Sequence, residues 1–126
     1  MKLRVARHTL ALKPITEYYT SIIGLSLLGE FKNHEGYDGV FLGVENENWH
    51  LEFTVSNTPP DHKPDSEDLL VFYPSTKNEF NQIAARLKAN DALVEPENPY
   101  WQRNGLMTLD PDGYGIIIVN PKLQNR

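Results

Sequence analysis

The chain has 126 residues, enough for one domain with a hydrophobic core of its own. Asp and Glu number 17 against 12 Lys and Arg, a net charge of −5, so neither nucleic acid nor a membrane is expected as a partner. The absence of cysteine excludes disulfides, a thiol nucleophile and Cys-ligated metal sites. There is no apolar run of about 18 residues and no signal-peptide pattern, which predicts a cytoplasmic protein.

The first half of the chain predicts a strand over residues 3–9, a helix over 14–24 and three further strands. Pro14 suits the first helical turn, and Gly24 suits the left-handed residue that follows a helix. Apolar residues recur on one helical face, at Ile15, Tyr18, Tyr19, Ile22 and Ile23. The three strands are predicted over residues 26–31, 39–42 and 49–55, and the last alternates clearly between apolar and polar residues.

The second half repeats this order after a Pro-rich linker over residues 56–66. A strand is predicted over 68–73 and a helix from a cap at Ser75 or Thr76 through Lys88, with Thr76 and Glu79 at capping-box spacing. The apolar stripe of this helix is Phe80, Ile83, Ala84 and Leu87. Strands are predicted over 92–95, 106–109 and 115–120, the last two joined by a turn over 110–113.

The whole pattern predicts an α+β fold of two tandem βαβββ modules, residues 1–55 and 67–122. A module of about 55 residues buries both faces of its sheet poorly when alone. We expect the two modules to form one domain over residues 1–126, with a curved, mostly antiparallel eight-stranded sheet and helices on its convex face. The concave face is then the natural place for a ligand cleft.

Four segments in this order resemble the vicinal-oxygen-chelate superfamily, which includes glyoxalase I, extradiol dioxygenases and the fosfomycin- and bleomycin-resistance proteins. They are the end of the first helix (residues 18–25), the fourth strand (49–53), the start of the second module (68–73) and the closing turn and strand (110–118). Residues 4–7, 34–39, 50–53 and 98–101 resemble a bacterial glyoxalase-like subgroup without assigned substrates. The resemblance implies paired βαβββ modules and a homodimer.

The resemblance also implies positions for a divalent metal, on the first and fourth strands of each module. Counted from the helix end and the closing turn, these positions fall on Arg4, Glu52, Asp68 and Ile117. Ile117 has no lone pair and Arg4 is a permanent cation, so the residues favour no metal and no cofactor. A rearranged site for Zn, Ni, Mn or Fe built from His8, His50 and Glu52 is the alternative.

The polar residues of the first and fourth strands form the main candidate site, which comprises Arg4, His8, His50 and Glu52. Arg4 is suited to hold an anionic group, and Glu52, His50 or His8 is the candidate general base if there is catalysis. The opposing interpretation is a plain salt bridge between Arg4 and Glu52. Tyr100 and Trp101 are candidates for the mouth of a ligand pocket, and packing at the sheet end or at an interface is their alternative role.

The sequence therefore predicts a protein that binds a small organic molecule in its cleft without the full inherited metal site. The alternative is an enzyme, a metal-dependent lyase, isomerase or dioxygenase, and the sequence leaves turnover open. A structural dimer with a filled cleft is a third interpretation, because one scaffold hosts many chemistries.

Overall fold

The computed structural model describes residues 1–123 and contains the βαβββ order twice. The predicted order of strands and of the two main helices is confirmed. The first module contains β1 (Leu3–His8), α1 (Leu12–Glu17) with a π-helical continuation (Tyr18–Ile23), β2 (Ser26–His34), β3 (Tyr37–Gly43) and β4 (Trp49–Val55). The second contains β5 (Leu69–Phe72), α2 (Lys77–Ala89), β6 (Leu93–Val94), α3 (Pro99–Asn104), β7 (Gly105–Leu109), β8 (Gly115–Val119) and a 3-10 turn (Pro121–Leu123).

The eight strands are hydrogen-bonded as two four-stranded sheets of equivalent topology. The strand order is β1-β4-β3-β2 in the first and β5-β8-β7-β6 in the second. In each sheet the first pair is parallel and the other two pairs are antiparallel. The chain divides into two compact units, Met1–His62 and a second that begins at Lys63, so the boundary lies inside the Pro-rich stretch.

The first helix differs from its prediction in start and winding. It begins at Leu12, which places Pro14 among the first residues, where the missing N–H costs no helical hydrogen bond. From Tyr18 the helix widens to π geometry, and the Gly24 N–H donates to the Tyr19 carbonyl at 3.1 Å. Gly24 has φ 96°, a conformation that glycine adopts without steric cost. The wider turn leaves Ile22 half-buried, so it lies at the margin of the predicted stripe.

The core of the first unit lies between this helix and one face of the first sheet. Ile15, Tyr19 and Leu42 are fully buried, and the rings of Tyr19 and Phe53 lie 5.2 Å apart. Leu51 is also buried, as the alternation in β4 predicts. His50, Glu52 and Thr54, which alternate with these residues along β4, therefore present their side chains on the opposite face of this sheet.

The second helix forms as predicted from its capping signal. Thr76 is the N-cap, and its hydroxyl accepts from the Glu79 N–H at 3.1 Å. Glu79 in turn accepts from the Ser75 N–H at 2.7 Å, so the side chains satisfy two donors at this helix end. The buried residues of α2 are those of the predicted stripe: Phe80, Ile83, Ala84 and Leu87.

The second sheet is centred on β8, in which all five residues are buried. Ile117 packs on one face with Met107 and Val119. The turn that precedes β8 is held by Asp110, which is 4% exposed and accepts from the N–H groups of Asp112 (3.0 Å) and Tyr114 (3.1 Å). These bonds confirm the predicted turn and explain its residues.

Residues 98–103, for which no helix was predicted, are the start and body of the short helix α3 (Pro99–Asn104). Asn98 is its N-cap and accepts from the Tyr100 N–H at 2.9 Å, and Pro99 occupies the first turn. Both features are start signals that the sequence carried.

Among the described residues, no helix has the length and apolar character needed to span a bilayer.

Candidate functional site

Strand pairing in the first sheet places Arg4, His50 and Glu52 on the face opposite the helix. Arg4 pairs with His50, and Glu52 is the next residue of β4 on that face. Phe41 on β3 pairs with Glu52 and shares the same face. We call this surface, formed by Arg4, Phe41, His50 and Glu52, the polar face.

Arg4 makes three contacts on the polar face. Its Nε donates to Nε2 of His50 at 3.2 Å, and its Cζ lies 5.3 Å from the centroid of the Phe41 ring. Its Nη1 lies 3.8 Å from Oε1 of Glu52, which is an ion pair but is too long for a hydrogen bond. The side chain of Arg4 is 53% exposed and that of Glu52 is 14% exposed. Arg4 is therefore a cation in a defined position that solvent still reaches.

The bond between Arg4 and His50 determines the state of the imidazole. A guanidinium N–H can only donate, so Nε2 of His50 must accept and carries no proton. The ring proton in this arrangement is therefore on Nδ1. Because Arg4 occupies the Nε2 lone pair, this nitrogen does not serve as a general base while the contact lasts.

A row of rings continues from His50 across the sheet. The centroids of His50 and Phe41 lie 5.6 Å apart, and those of Phe41 and Phe31 lie 5.7 Å apart. All three residues are half-buried. We call Phe31, Phe41 and His50 the aromatic row.

Gly39 makes room for the Phe31 ring to lie close against the sheet. Phe31 pairs with Gly39, and a Cβ on Gly39 would lie only 2.4 Å from the Phe31 ring. Phe41 pairs with Gly29, where a Cβ would lie at an ordinary van der Waals distance of 3.5 Å from the Phe41 ring. The Phe31 ring thus covers glycine backbone, which a larger residue at position 39 would prevent.

His8 lies on the same face of β1 as Arg4 but has different partners. Its pairing position is opposite Thr54, and its Nε2 lies 3.0 Å from the Ser56 hydroxyl. His62 Nε2 contacts the His8 carbonyl. His8 therefore anchors the chain that leaves β4 and is not joined to the cluster around Arg4.

Tyr100 and Trp101 belong to the second unit, where both lie on α3. Their rings are in edge-to-face contact, with centroids 4.8 Å apart. Trp101 packs against the cluster of Met107, Ile117 and Val119, whereas Tyr100 is 39% exposed. Trp101 thus has a packing role, and Tyr100 retains an exposed ring.

The strand register corrects one of the four counted metal positions. Ala6 pairs with Glu52 and Val71 pairs with Ile117, so the residue that corresponds to Arg4 in the second module is Leu69. The prediction of Asp68 was wrong by one residue, because Asp68 precedes β5 and accepts from the Asp65 N–H in the turn before it.

The residues at these positions do not fit a divalent metal. In the second module Leu69 and Ile117 offer no donor atom, and in the first a guanidinium lies beside Glu52. Among residues 1–123, no group of three His, Asp or Glu side chains is placed to hold a metal ion. His8, His50 and Glu52, the rearranged set, are not such a group among these residues, and the Nε2 atom of each histidine has another partner.

The first unit also carries an open groove of about 570 Å³ between residues 10–17 and the hairpin of β2 and β3. Charges of both signs line it, from Lys13, Lys32, Glu17, Glu30 and Asp38, and Phe31 of the aromatic row lines it as well. None of the predicted site residues lies in it. Phe31 and Phe41 were not among the predicted site residues. Their signal in the sequence is a glycine two residues before each phenylalanine, in Gly29-x-Phe31 and Gly39-x-Phe41.

Comparison with known proteins gives matches along nearly the whole chain. Residues 3–54 match the YycE-like N-terminal domain, and residues 67–120 match the YycE-like C-terminal domain. The uncharacterised protein YycE of Bacillus subtilis is 42% identical over 125 residues, covering 96% of this chain and 88% of the relative.

Solved structures share the fold. A crystal structure of YycE from Bacillus subtilis has a TM-score of 0.82 and 40% identity, covering 94% of this chain and 88% of that one. Glyoxalase I of Leishmania major has a TM-score of 0.76 at 22% identity (99% and 89% covered). TnmS3, an antibiotic-binding protein of Streptomyces sp. CB03234, has a TM-score of 0.67 at 17% identity (94% and 93% covered).

Proposed function

Because the chain belongs to the YycE-like family of the vicinal-oxygen-chelate superfamily, we propose that it binds a small organic molecule on its polar face without a divalent metal. The observation that carries this proposal is the position of Arg4, which lies beside Glu52 and against the Phe41 ring. A positioned and accessible guanidinium attracts an anionic ligand group by charge-assisted hydrogen bonds.

The composition of the polar face supports binding rather than catalysis. A ligand site combines apolar or aromatic surface with a few polar groups, and the aromatic row with Arg4 and Glu52 has this composition. His50, the best-placed candidate base, has its Nε2 lone pair engaged by Arg4. The fold also serves binding in TnmS3, which its name describes as an antibiotic-binding protein.

The positive charge of Arg4, at one of the metal positions that the resemblance implies, also supports a metal-free function. Arg4 supplies a positive charge next to Glu52, and a divalent cation added there would be repelled by it. Homodimerisation, implied by the resemblance, stays a prediction that sedimentation of the purified chain would test.

The test combines metal analysis with a ligand screen. Protein purified without chelator should contain no stoichiometric Zn, Ni, Mn or Fe, and its melting temperature should not rise when any of these ions is added. A library of small organic fragments, titrated into ¹⁵N-labelled protein, should include compounds that shift the amide signals of His50 and Glu52. Arg4→Gln should remove the shifts caused by anionic fragments.

Stoichiometric metal, or a large stabilisation by one divalent ion, would overturn the metal-free proposal and favour the metal-dependent enzyme. A screen in which no fragment shifts the polar-face signals would overturn ligand binding there. Arg7→Gln is the matched control, because Arg7 lies on the same strand but stacks on Phe53 on the helix side.

A further inference from the structure

We infer that the polar face selects an aromatic carboxylate, with the carboxylate at Arg4 and the ring against the aromatic row. This inference rests on the proposed function and names the ligand class. It is carried by the close association of one incompletely engaged guanidinium with three adjoining rings.

The guanidinium of Arg4 has hydrogen-bonding capacity left for a ligand. Of its five N–H donors, the one on Nε is used by His50. The approach of Nη1 to Glu52 at 3.8 Å is outside hydrogen-bonding distance. The Nη donors of a guanidinium match the two oxygens of a carboxylate in geometry. The contacts with His50 and Phe41 fix the plane of this group in advance and lower the entropic cost of binding.

The neighbouring charge limits what kind of anion fits. Glu52 lies near the same guanidinium and is largely buried, so a ligand with two negative charges meets stronger repulsion than one with a single charge. A monoanionic, planar carboxylate is therefore favoured over a phosphate dianion.

The aromatic row supplies the second half of the recognition. Phe31 and Phe41 are half-buried, so neither residue is fully covered, and the Phe31 ring adjoins the Phe41 ring over which Arg4 lies. Aromatic pairs with centroids about 4.5–7 Å apart are favourable beyond their buried area. The distance from Arg4 Cζ to the Phe41 centroid, 5.3 Å, is within the reach of a ligand that joins a carboxylate directly to a ring.

The experiment compares three probes that differ in one property each: benzoate, benzamide (aromatic and neutral) and cyclohexanecarboxylate (anionic and not aromatic). Each is titrated into ¹⁵N-labelled protein, and dissociation constants come from the shifts of the His50, Glu52 and Phe41 amides. Benzoate should bind at least about threefold more tightly than cyclohexanecarboxylate, from ring contacts, and about tenfold more tightly than benzamide, from charge-assisted hydrogen bonds.

Variants assign each half of the ligand to its residues. Arg4→Gln should raise the dissociation constant of benzoate about tenfold and leave that of benzamide unchanged. Arg4→Lys should give a benzoate dissociation constant between those of the wild type and Arg4→Gln, because lysine keeps the charge but lacks the planar pair of donors that matches a carboxylate. Phe31→Leu should weaken benzoate but not cyclohexanecarboxylate. Arg7→Gln should leave all three dissociation constants unchanged.

Equal binding of benzoate and benzamide would overturn the carboxylate assignment, and equal binding of benzoate and cyclohexanecarboxylate would overturn the aromatic one. If none of the three probes binds while another fragment shifts the same signals, the inference fails and the proposed function stands. If no compound shifts the polar face at all, both fail.

Discussion

Removing Arg4 is expected to destabilise the first unit more than removing the charge of Glu52. Arg4 is 53% exposed, so in Glu52→Gln its guanidinium is hydrated by solvent. Glu52 is only 14% exposed, so in Arg4→Gln its carboxylate loses a nearby cation while solvent compensates poorly. Because Glu52 is less exposed than Arg4, we expect Arg4→Gln to lower the free energy of unfolding more than Glu52→Gln does.

The contacts of Arg4 set the expected magnitudes. An ion pair with one exposed partner contributes about 0.2–1 kcal/mol. A cation–π contact at an exposed site contributes about 0.5–1 kcal/mol, and a net hydrogen bond about 0.5–1.5 kcal/mol. Allowing for their shared geometry, Arg4→Gln should cost about 1–2 kcal/mol and Glu52→Gln about 0.2–1 kcal/mol. The double mutant should cost less than the sum, by about 0.5 kcal/mol.

Urea unfolding monitored by fluorescence measures these differences. In a Trp101→Phe background the remaining tryptophan is Trp49, which lies beside His50 on β4 and reports on the first unit. All variants are compared at one protein concentration and at low and high salt, since salt screens the ion pair. A larger cost for Glu52→Gln than for Arg4→Gln would refute the hydration argument. Strict additivity that is independent of salt would show that the two side chains do not interact.

Three further predictions concern the framework of the fold. Ile15→Ala should lower the free energy of unfolding by about 2–5 kcal/mol, because Ile15 is fully buried. Ile22→Ala should cost less than half of that, because the π-helical turn leaves Ile22 half-buried. Equal shifts of the urea midpoint would contradict this difference. Thr76→Ala should cost about 1 kcal/mol through loss of the cap of α2, whereas Ser75→Ala, which keeps its backbone donor, should be nearly neutral in the same assay. Asp110→Ala should cost about 1–3 kcal/mol by leaving two N–H groups of its turn without their acceptor, and Asp110→Asn should recover part of this in thermal melts; if Asp110→Asn is as unstable as Asp110→Ala, the acceptor role is wrong.

Elements with strong local signals were predictable from the sequence. Strand β4 has its predicted bounds because apolar and polar residues alternate along its length, and α2 has both a cap and a periodic stripe. The π-helical turn at Tyr18–Ile23 was not predictable in this way, since its apolar spacing also fits an α-helix. Helix α3 was missed because six residues are too few for a periodic pattern, although Asn98-Pro99 marked its start.

The candidate site was predictable only in part, for a related reason. Alternation along β4 predicts that His50 and Glu52 share a face, and counting from the first helix end predicts that Arg4 and Glu52 occupy corresponding positions. The partners of Arg4 depend on how β1, β3 and β4 align, which no single strand encodes. The stacking on Phe41 and the engagement of the His50 lone pair therefore became visible only in the structure.

The two modules share one strand order but differ in what the corresponding sheet face carries. In the first module this face holds Arg4, His50 and Glu52, whereas in the second it holds apolar residues, including Leu69, Val71 and Ile117. The equivalent face therefore carries polar side chains in the first module and contributes to apolar packing in the second. In a saturation mutagenesis experiment, polar substitutions at the buried Ile117 or at Val71 should lower the abundance of the protein more than substitutions at Arg4, whose expected cost is only about 1–2 kcal/mol. On the proposed function, substitutions that change which ligand binds are expected mainly in the first half of the gene.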